Sequence, residues 1–408
     1  MRKIYTSVDI GTDEIRVVTV EKFNDRYNVL ASSSFKSSGL KKGLITDAQL
    51  VSGALKKAIK NNENKLGVKI NKVLAIVPSK DSYVVPVVGT TLVKEEDGIV
   101  TGNHIFSCLQ NALANSAENG MEVVSVLPKA FLLDKKTIVS NPIGKKCNIL
   151  SVKAVSLLVP KKNVYSVVSV LESLGIEVMD ISVSGIANYF VIKNRDFDAK
   201  NVAIVDIGVD KTNISIFSEG VIKEDIILPI GGKSIDTDIS STYNFSVEDS
   251  KKLKEDYSVC NRKYADSEEF EFIIGGKREK LYQYKLAELI ETRVVDILKN
   301  IKIQINNLTN GEIGYIMITG GITSMLGFNA LVEDVFVKNA SVMNIGILGV
   351  RDNRYSASYG LIKYFVSKLE LREKEYTMFS MDRIDAMLSP RKKAGNNVIG
   401  KIFDRLFD

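Results

Sequence analysis

A chain of 408 residues is too long for one ordinary hydrophobic core, so its length predicts two domains or one bilobed unit. A hydrophobic content of 45% with 25% charge is typical of a soluble protein, and no apolar run approaches the roughly 18 to 20 residues of a membrane span. The net charge of +6 comes without arginines clustered among aromatics, so nucleic acid is not expected as a partner. One histidine and three scattered cysteines exclude the usual hydrolase and zinc chemistries. The first residues alternate as a strand does and not as a signal peptide, which predicts a cytoplasmic location.

Two similar segments lie about half a chain apart, at residues 4–30 and 202–228. Each predicts a strand, a tight glycine turn, a second strand, another turn and a third strand. In both, an aspartate near the end of the first strand is followed two residues later by a glycine, as Asp9 with Gly11 and Asp206 with Gly208. The repetition predicts two similar lobes.

The chemistry of such a hairpin pair points to phosphate. A carboxylate fixed at the end of a buried strand can hold Mg²⁺, usually through water. The neighbouring glycine lets backbone N–H groups approach phosphate oxygens closely. A single Asp-Ile-Gly is more often only a strand end, but two in matched context predict a clamp for one triphosphate between the lobes.

Two further segments fit a nucleotide. A buried strand at 316–319 runs into Gly320 and Gly321 before a helix, and a helix N-terminus of this kind suits a phosphate or a ribose. Glu248, Lys251 and Lys252 share one face of a predicted helix. Alone, the first segment would be an ordinary strand–helix turn and the second a solvated ion-pairing face.

Taken in order, these segments resemble the actin, Hsp70 and sugar-kinase superfamily. Within it, the sequence is similar to the FtsA family, bacterial division proteins that tether FtsZ filaments to the membrane. The stretches that carry the resemblance are 39–47, 127–134, 141–144, 228–232 and 289–293.

The resemblance implies an α/β fold of the actin-like bilobed type, with duplicated ribonuclease H-like cores and four subdomains. The implied boundaries are 1–82 and 160–198 for subdomain 1A, 83–159 for an inserted subdomain 1C, 199–232 and 310–370 for 2A, and 233–309 for 2B. A flexible linker at 371–397 and a membrane-targeting helix at 398–408 would follow.

The same resemblance implies the cofactors ATP and Mg²⁺ and assigns the residues that bind them. Asp9, Gly11 and Thr12 would form the first phosphate loop, and Asp9 and Asp206 would be the metal ligands. The remaining implied nucleotide contacts are Asp206, Gly208, Lys211 and Thr212 in the second loop, Gly320 and Gly321 beneath the adenosine, and Glu248, Lys251 and Lys252 around the purine and ribose.

Both loops depart from the family's usual pattern. The departures are Val209 and Asp210 in place of glycines and Asn213 in place of aspartate in the second loop, and Asp13 and Glu14 in place of a Ser-Lys pair in the first. Repulsion between unit charges a few ångströms apart can reach several kcal/mol in a partly dry site, and Lys211 could offset part of it. We expect nucleotide binding with hydrolysis slow or absent and no catalytic residue; the alternative is a pocket that has lost ATP.

The last eleven residues, 398–408, predict an amphipathic helix that needs no family comparison. At about 100° per residue, large apolar side chains fill one half of the helix and charged ones the other. The apolar half consists of Val398, Ile399, Ile402, Phe403, Leu406 and Phe407. This face predicts binding to membrane lipids, and the basic run 391–393 favours the same surface; the alternative is a helix folded back onto the body. Because one copy would hold weakly, self-assembly should strengthen the binding.

Three functions remain open from the sequence. The leading hypothesis is a self-associating adaptor on the cytoplasmic side of the membrane at the division septum, with contacts through 1C and the lobes. It would bind the acidic C-terminal tail of FtsZ on subdomain 2B through Lys285, Arg293, Lys299 and Lys302, which could equally be a solvated face. The alternatives are a pilus-assembly scaffold of similar fold and, last, a small-molecule kinase of the superfamily.

Overall fold

The computed structural model describes residues 2–94, 97–114, 119–257, 259–274, 276–337 and 339–388. The strands of this described part are β1 (Lys3–Ile10), β2 (Glu14–Phe23), β3 (Arg26–Lys36), β4 (Leu40–Lys41), β5 (Leu44–Ile45), β6 (Lys72–Ile76), β7 (Tyr83–Leu92), β8 (Met121–Leu133), β9 (Thr137–Val139), β10 (Ile149–Pro160), β11 (Glu177–Ser182), β12 (Val202–Ile207), β13 (Thr212–Ser218), β14 (Val221–Leu228), β15 (Glu269–Ile274), β16 (Lys277–Tyr282), β17 (Tyr315–Thr319) and β18 (Ala340–Val342). Its α-helices are α1 (Ala48–Leu66), α2 (Gly102–Leu113), α3 (Lys161–Ser173), α4 (Ser184–Ile192), α5 (Arg195–Asp198), α6 (Lys233–Tyr243), α7 (Val247–Tyr257), α8 (Gln283–Thr309), α9 (Phe328–Phe336), α10 (Ser356–Leu371) and α11 (Met381–Leu388). Short 3₁₀ helices lie at Arg262–Tyr264, Gly321–Ser324 and Asn353–Tyr355.

Two five-stranded sheets are built on one plan. In the first, ordered β3-β2-β1-β6-β11, β1 pairs antiparallel with β2 and parallel with β6. In the second, ordered β14-β13-β12-β17-β18, β12 pairs antiparallel with β13 and parallel with β17. We call the two sheets with the helices packed on them the first and the second lobe. The prediction of two similar lobes from the repeated hairpins is confirmed.

The central strand of each sheet is buried along nearly its whole length, because helices or other strands cover both of its faces. β-Branched and other apolar residues fill β12, and β1 alternates them with small hydroxyl side chains such as Thr6 and Ser7. Thr6 shares a buried hydrogen bond of 2.9 Å with Thr19 on β2, and Ser7 donates one of 2.7 Å to the Ser358 carbonyl on α10. These buried hydroxyl groups of β1 are therefore paired.

Helices α4 and α10 lie between the two sheets and join the lobes. α10 contacts β1, β2 and β6 of the first sheet, while α4 contacts β12 and β13 of the second. On α4, Tyr189 stacks on Phe217 of β13 with ring centroids 4.0 Å apart. The next residue of α4, Phe190, packs against Tyr364 of α10 with ring centroids 4.8 Å apart. One continuous hydrophobic core therefore extends from the first sheet through this helix pair to the second.

A third sheet, ordered β7-β10-β8-β9, lies in the segment between β6 and α3. Helix α2 packs against β7 and β10 and closes a separate hydrophobic core. The long strand β10 also continues into the first lobe, where Leu157 and Val159 join the main core. This small unit is thus fixed to the first lobe by its own strand.

The stretch after α10 differs from the predicted tether. Residues 372–388 return along the first lobe, where Met378 N–H donates to the Ile4 carbonyl at 3.0 Å and Ile4 N–H donates to Thr377 Oγ1 at 3.0 Å. Phe379 and Ile384 are buried there. The prediction of a flexible linker is therefore wrong between 372 and 388, because these apolar side chains find a place on β1 and its neighbours. The remainder of the predicted linker and the predicted helix at 398–408 lie outside the described residues.

The close crossing of α4 and α10 gives a test of the fold. A Cβ added to Gly360 on α10 would stand 1.9 Å from the Ala187 carbonyl oxygen, whereas one added to Gly53 on the outer face of α1 meets nothing within 4 Å. Gly360→Ala should lower the free energy of unfolding by about 1 to 3 kcal/mol through overpacking. Gly53→Ala should raise it by roughly 0.5 to 1 kcal/mol, as alanine normally does within a helix. Urea denaturation of both variants measures the difference, and equal effects of one sign would contradict this crossing.

Candidate functional site

A cleft of about 660 Å³ opens between the lobes where the parallel strands of both sheets end. Its walls include the ends of β1 and β6 on one side and the ends of β12 and β17 on the other. In open α/β sheets, ligands commonly bind outside the carboxyl ends of such strands. The cleft is therefore the candidate ligand site.

The first loop brings all three of its predicted residues to the cleft: Asp9, Gly11 and Thr12. Gly11 N–H donates to the Glu14 carbonyl at 3.0 Å, and a Cβ on Gly11 would stand 2.8 Å from that same oxygen. Only glycine fits this turn without a shift of the backbone. Thr12 Oγ1 accepts a hydrogen bond of 3.1 Å from Gly43 N–H in the turn between β4 and β5, which fixes the loop from the side.

The second loop places Asp206, Gly208 and Lys211 at the cleft. Gly208 N–H donates to the Lys211 carbonyl at 2.9 Å, and Gly208 O accepts from Gly232 N–H at 2.9 Å, so the start of α6 supports the turn. Thr212, predicted as a nucleotide contact, does not line the cleft. It is fully buried in β13, and its hydroxyl donates to the Ile230 carbonyl at 2.8 Å.

The diglycine turn also lies at the cleft, as predicted. Gly320 has φ of +107°, and a Cβ there would stand 2.2 Å from the Ile207 carbonyl oxygen. The backbone of the second strand end and that of the diglycine turn therefore lie in direct contact. Gly321 follows at the start of a 3₁₀ helix, and a Cβ there would make an ordinary contact of 3.5 Å with the Arg354 side chain.

Helix α7 contributes a different face from the predicted one. Lys251 lines the cleft, but Glu248 and Lys252 do not; Lys254 and Glu255 line it instead. Glu248 is exposed and pairs with Lys36 at 3.6 Å. The prediction placed the face that lines the cleft about one turn too early, because the helix approaches the cleft with its middle and not with its first residues.

Sequence reasoning missed two further cations of the cleft, Arg16 and Arg354. Arg16 lies opposite Asp9 on β2, and the two side chains form an ion pair of 3.0 Å. The signal was a single arginine within the otherwise uncharged stretch 15–20 of β2, one strand away from the aspartate. Arg354 pairs at 2.7 Å with Asp352, two residues before it, and at 3.0 Å with Glu14, 340 residues away along the chain. Only the distant pair connects it to the first loop, and that pair gives no local signal.

Charges that were expected to repel one another are paired across the cleft. Asp13 of the first loop forms an ion pair with Lys251 of the second lobe, and Glu14 forms one with Arg354. Asp210 accepts a hydrogen bond of 3.3 Å from Lys42 N–H of the first lobe and pairs with Lys233 at 3.7 Å. The departures from the family pattern therefore link the lobes and do not leave bare negative charge.

Two ionisable groups of the cleft stay outside this pairing. Neither Lys211 nor Asp206 forms an ion pair within the part of the chain that the structure describes; Asp206 accepts only a long hydrogen bond of 3.4 Å from Asn188. Burial raises the pKa of the Asp206 carboxyl, and the nearby Asp9 charge adds to the rise. Burial lowers the pKa of the Lys211 ammonium, while the carboxylates around it act in the opposite direction. For both groups, burial outweighs the effect of the opposite charges nearby on the pKa.

A buried polar network lies near the second loop. The Asp225 carboxylate on β14 accepts hydrogen bonds from Ser215 Oγ, from Asn213 Nδ2 at 3.0 Å and from Ser82 Oγ at 3.4 Å. Asn213 stands where the family usually has aspartate. A second carboxylate there would face Asp225 in a buried site, so the amide is the residue type that fits.

The four basic residues predicted to bind an acidic tail are mostly engaged within the protein. All lie on α8, where Arg293 makes two hydrogen bonds to Asp238, of 2.5 and 2.9 Å, and Lys302 donates to the Val335 carbonyl at 2.7 Å. Lys285 pairs with Glu288 at 3.2 Å. Lys299 is exposed and forms no ion pair among the residues described.

Comparison with known proteins identifies the family. The profile of the cell division protein FtsA matches residues 203–360, and that of the SHS2 domain inserted in FtsA matches residues 84–157, together more than half of the chain. The chain belongs to the FtsA family of cell division proteins. The cell division protein FtsA of Bacillus subtilis (strain 168) is 27% identical over 366 residues, which cover 89% of this chain and 83% of that one. The resemblance to FtsA, and with it a role in cell division, is confirmed.

Solved structures show the same fold at low sequence identity. The chain resembles the PilM-PilN type IV pilus biogenesis complex with a TM-score of 0.60 at 13% identity, covering 90% of this chain and 98% of that one. It resembles MreB5 of Spiroplasma citri bound to AMPPNP with a TM-score of 0.53 at 14% identity, covering 90% and 97%. For the MamK double helical filament the TM-score is 0.52 at 13% identity, covering 89% and 98%. The predicted actin-like bilobed fold is confirmed.

Among the residues that the structure describes, no helix is both long and apolar enough to cross a membrane.

The Asp225 network gives a pH-dependent prediction. Burial raises the pKa of the Asp225 carboxyl above its ordinary value of 3.8. The folded protein therefore holds this proton more tightly than the unfolded chain does. The resulting stabilisation is complete below the unfolded pKa and is lost as the pH rises through the raised folded pKa.

Asp225→Asn removes the charge and keeps a partner for each neighbouring polar group. We expect it to raise the free energy of unfolding at pH 7 by roughly 1 kcal/mol for each unit by which the pKa is raised. The gain should shrink as the pH falls towards 4. Asp225→Ala, which leaves buried donors without an acceptor, should instead lower stability by about 1 to 3 kcal/mol. Thermal unfolding between pH 4 and pH 8 measures both; a gain from Asp225→Asn that is independent of pH would contradict the raised pKa.

Proposed function

We propose that this chain is an ATP-binding adaptor of cell division that self-associates, binds the C-terminal tail of FtsZ and attaches FtsZ filaments to the cytoplasmic side of the membrane. The nucleotide part is carried by one observation: two loops of the same plan face each other across a single cleft at the ends of parallel strands. Family membership supports the division role. The likeness to MreB5 bound to AMPPNP supports a nucleoside triphosphate as the ligand.

The ligand's orientation follows from the chemistry of the walls. The glycine turns at Gly11 and Gly208 let phosphate oxygens come close to the backbone. Gly320 and Gly321 bring backbone without side chains to the cleft wall on the second lobe, which suits adenosine. Lys251 on α7 and Arg354 before α10 also line the cleft and would border the ribose and base.

Mg²⁺ would enter with the nucleotide, held chiefly by its phosphates. The carboxylates assigned to the metal are Asp9 and Asp206, but Asp9 is already paired with Arg16 at 3.0 Å. Within the described residues, no group of three or more His, Cys, Asp or Glu side chains is placed to hold a metal ion. Of these two carboxylates, only that of Asp206 forms no ion pair with a described residue, so the protein adds little to the coordination of the cation.

The membrane and filament parts of the proposal rest on the sequence and on the fold. Residues 398–408 carry the apolar face described above, and α11, which precedes them in the chain, packs on the first lobe with Ile384 buried. The likeness to the MamK filament supports self-association. A weak single anchor and a polymer suit each other, because linked copies gain avidity. Lys299 and Lys285, with one exposed face of α8, are the remaining candidates for the FtsZ tail.

The cleft can be blocked without touching its charges. Ser324 is exposed on the cleft wall, and its hydroxyl donates only to the Gly321 carbonyl nearby. Ser324→Trp should weaken ATP binding by roughly tenfold or more, since a bulky group in a filled space costs about 1 to 3 kcal/mol. The control is Ser241→Trp, at an exposed position of α6 that does not line the cleft. Isothermal titration calorimetry measures both; a Ser324→Trp variant with unchanged affinity would place the nucleotide elsewhere.

The tail can be tested by matched substitutions on its two faces. Ile402→Asp with Phe403→Asp removes part of the apolar face, while Asp404→Asn with Asp408→Asn alters only the charged one. The first pair should reduce sedimentation with anionic liposomes by roughly tenfold or more, because each large side chain contributes about 1.5 to 3 kcal/mol when fully buried. The second pair should bind at least as well as the unaltered chain. Equal loss in both pairs, or in neither, would refute an anchor of this kind.

A further inference from the structure

Lys211 extends from the second loop towards the first. Its Nζ lies 2.6 Å from the position that a Cβ on Gly43 would occupy, so the ammonium lies directly beside the turn between β4 and β5. Gly43 has φ of +74° and donates its N–H to Thr12 of the first phosphate loop at 3.1 Å. The ammonium of the second loop therefore lies next to the first loop, in the space between the two.

The cleft as a whole carries no excess of positive charge. The charged side chains that line it are Arg16, Lys211, Lys251, Lys254 and Arg354 against Asp9, Asp13, Asp206, Asp210 and Glu255. Most of the cations are neutralised locally, as in the pairs Asp9–Arg16 at 3.0 Å and Lys254–Asp236 at 2.6 Å. A triphosphate that recruited one of these cations would first have to break an existing ion pair.

Lys211 is the exception among the lining cations of the described chain, because it has no ion pair to break. It is also partly shielded from water by Gly43 and by the first loop. A charge-assisted bond from such an ammonium to a phosphate oxygen is stronger than one made in open solvent. The Lys211 ammonium thus lies beside the phosphate loops and is partly desolvated before an anion binds.

We propose that Lys211 supplies the main counter-charge for the phosphates of the bound nucleotide, so that affinity depends on Lys211 more than on a divalent cation. The inference rests on the proposed binding of ATP and deepens it. In nucleotide sites of this kind two carboxylates would normally face a hydrated Mg²⁺. In this cleft one of the two is paired with Arg16, and a fixed ammonium lies beside the phosphate loops.

The test compares ATP binding in Mg²⁺ and in EDTA by calorimetry, with the full-length protein. The unaltered protein should lose less than about fivefold in affinity when Mg²⁺ is removed. Lys211→Met should lose about 10- to 100-fold in EDTA, the usual range for a charged hydrogen bond. The same variant should lose clearly less in Mg²⁺, where the cation replaces the missing charge. Lys223→Met, at an exposed position of β14 in the same lobe, is the matched control and should behave as the unaltered protein does.

The outcomes separate this inference from the proposed function. Binding of ATP by the unaltered protein that falls more than about 100-fold in EDTA would overturn the role of Lys211 and leave nucleotide binding standing. Equal weakening of Lys211→Met in both buffers would also overturn it, because that is the behaviour of a purely structural residue. No binding in either buffer would overturn the nucleotide proposal and the inference with it. The comparison of buffers in the unaltered protein remains decisive even where Lys211→Met fails to fold.

Discussion

The contact between α4 and α10 is the constraint on which the cleft depends. These helices lie between the two sheets, and Gly360 brings their backbones so close that a single methyl group would not fit. Because α10 contacts β1 and α4 contacts β12, the helix pair sets the distance between the two strand ends. That distance decides whether Asp13 can meet Lys251 and whether Lys42 N–H can meet Asp210. Packing at the helix pair therefore determines the electrostatics of the site.

The ion pairs across the cleft give the unusual carboxylates of the first loop, Asp13 and Glu14, a structural role. Considered along the chain, Asp13 and Glu14 add two negative charges to a phosphate loop, and repulsion is the natural expectation. In the folded protein, each is balanced by a cation that lies 238 or 340 residues away. A charge pattern that looks unfavourable within one loop is thus a link between lobes. Much of the cost of the extra carboxylates is therefore offset by contacts between the lobes.

The residues that sequence reasoning assigned to the site and that do line the cleft were found from local features. Gly11 and Gly320 were identified because a tight turn or a close approach demands glycine at that point of the chain itself. The pairings of Glu14 with Arg354 and of Asp13 with Lys251 were missed because each joins residues far apart in sequence. The face of α7 was misjudged by about one turn, since periodicity gives the spacing of a face but not which turn approaches the neighbouring lobe. The stretch 372–388 looked like a tether because its polar and apolar residues are mixed, yet Met378, Phe379 and Ile384 are buried on the first lobe.

A cleft whose lining charges cancel offers a polyanion no general attraction, so its affinity has to come from individual contacts. Backbone N–H groups at the glycine turns provide direction but little net charge. Breaking Asp13–Lys251 or Glu14–Arg354 to free a cation would also weaken the connection between the lobes. Lys211 avoids this conflict, because its ammonium forms no ion pair among the described residues and lies beside the backbone of Gly43. The residue that balances a phosphate can then differ from the residues that keep the cleft closed, and each can change without loss of the other.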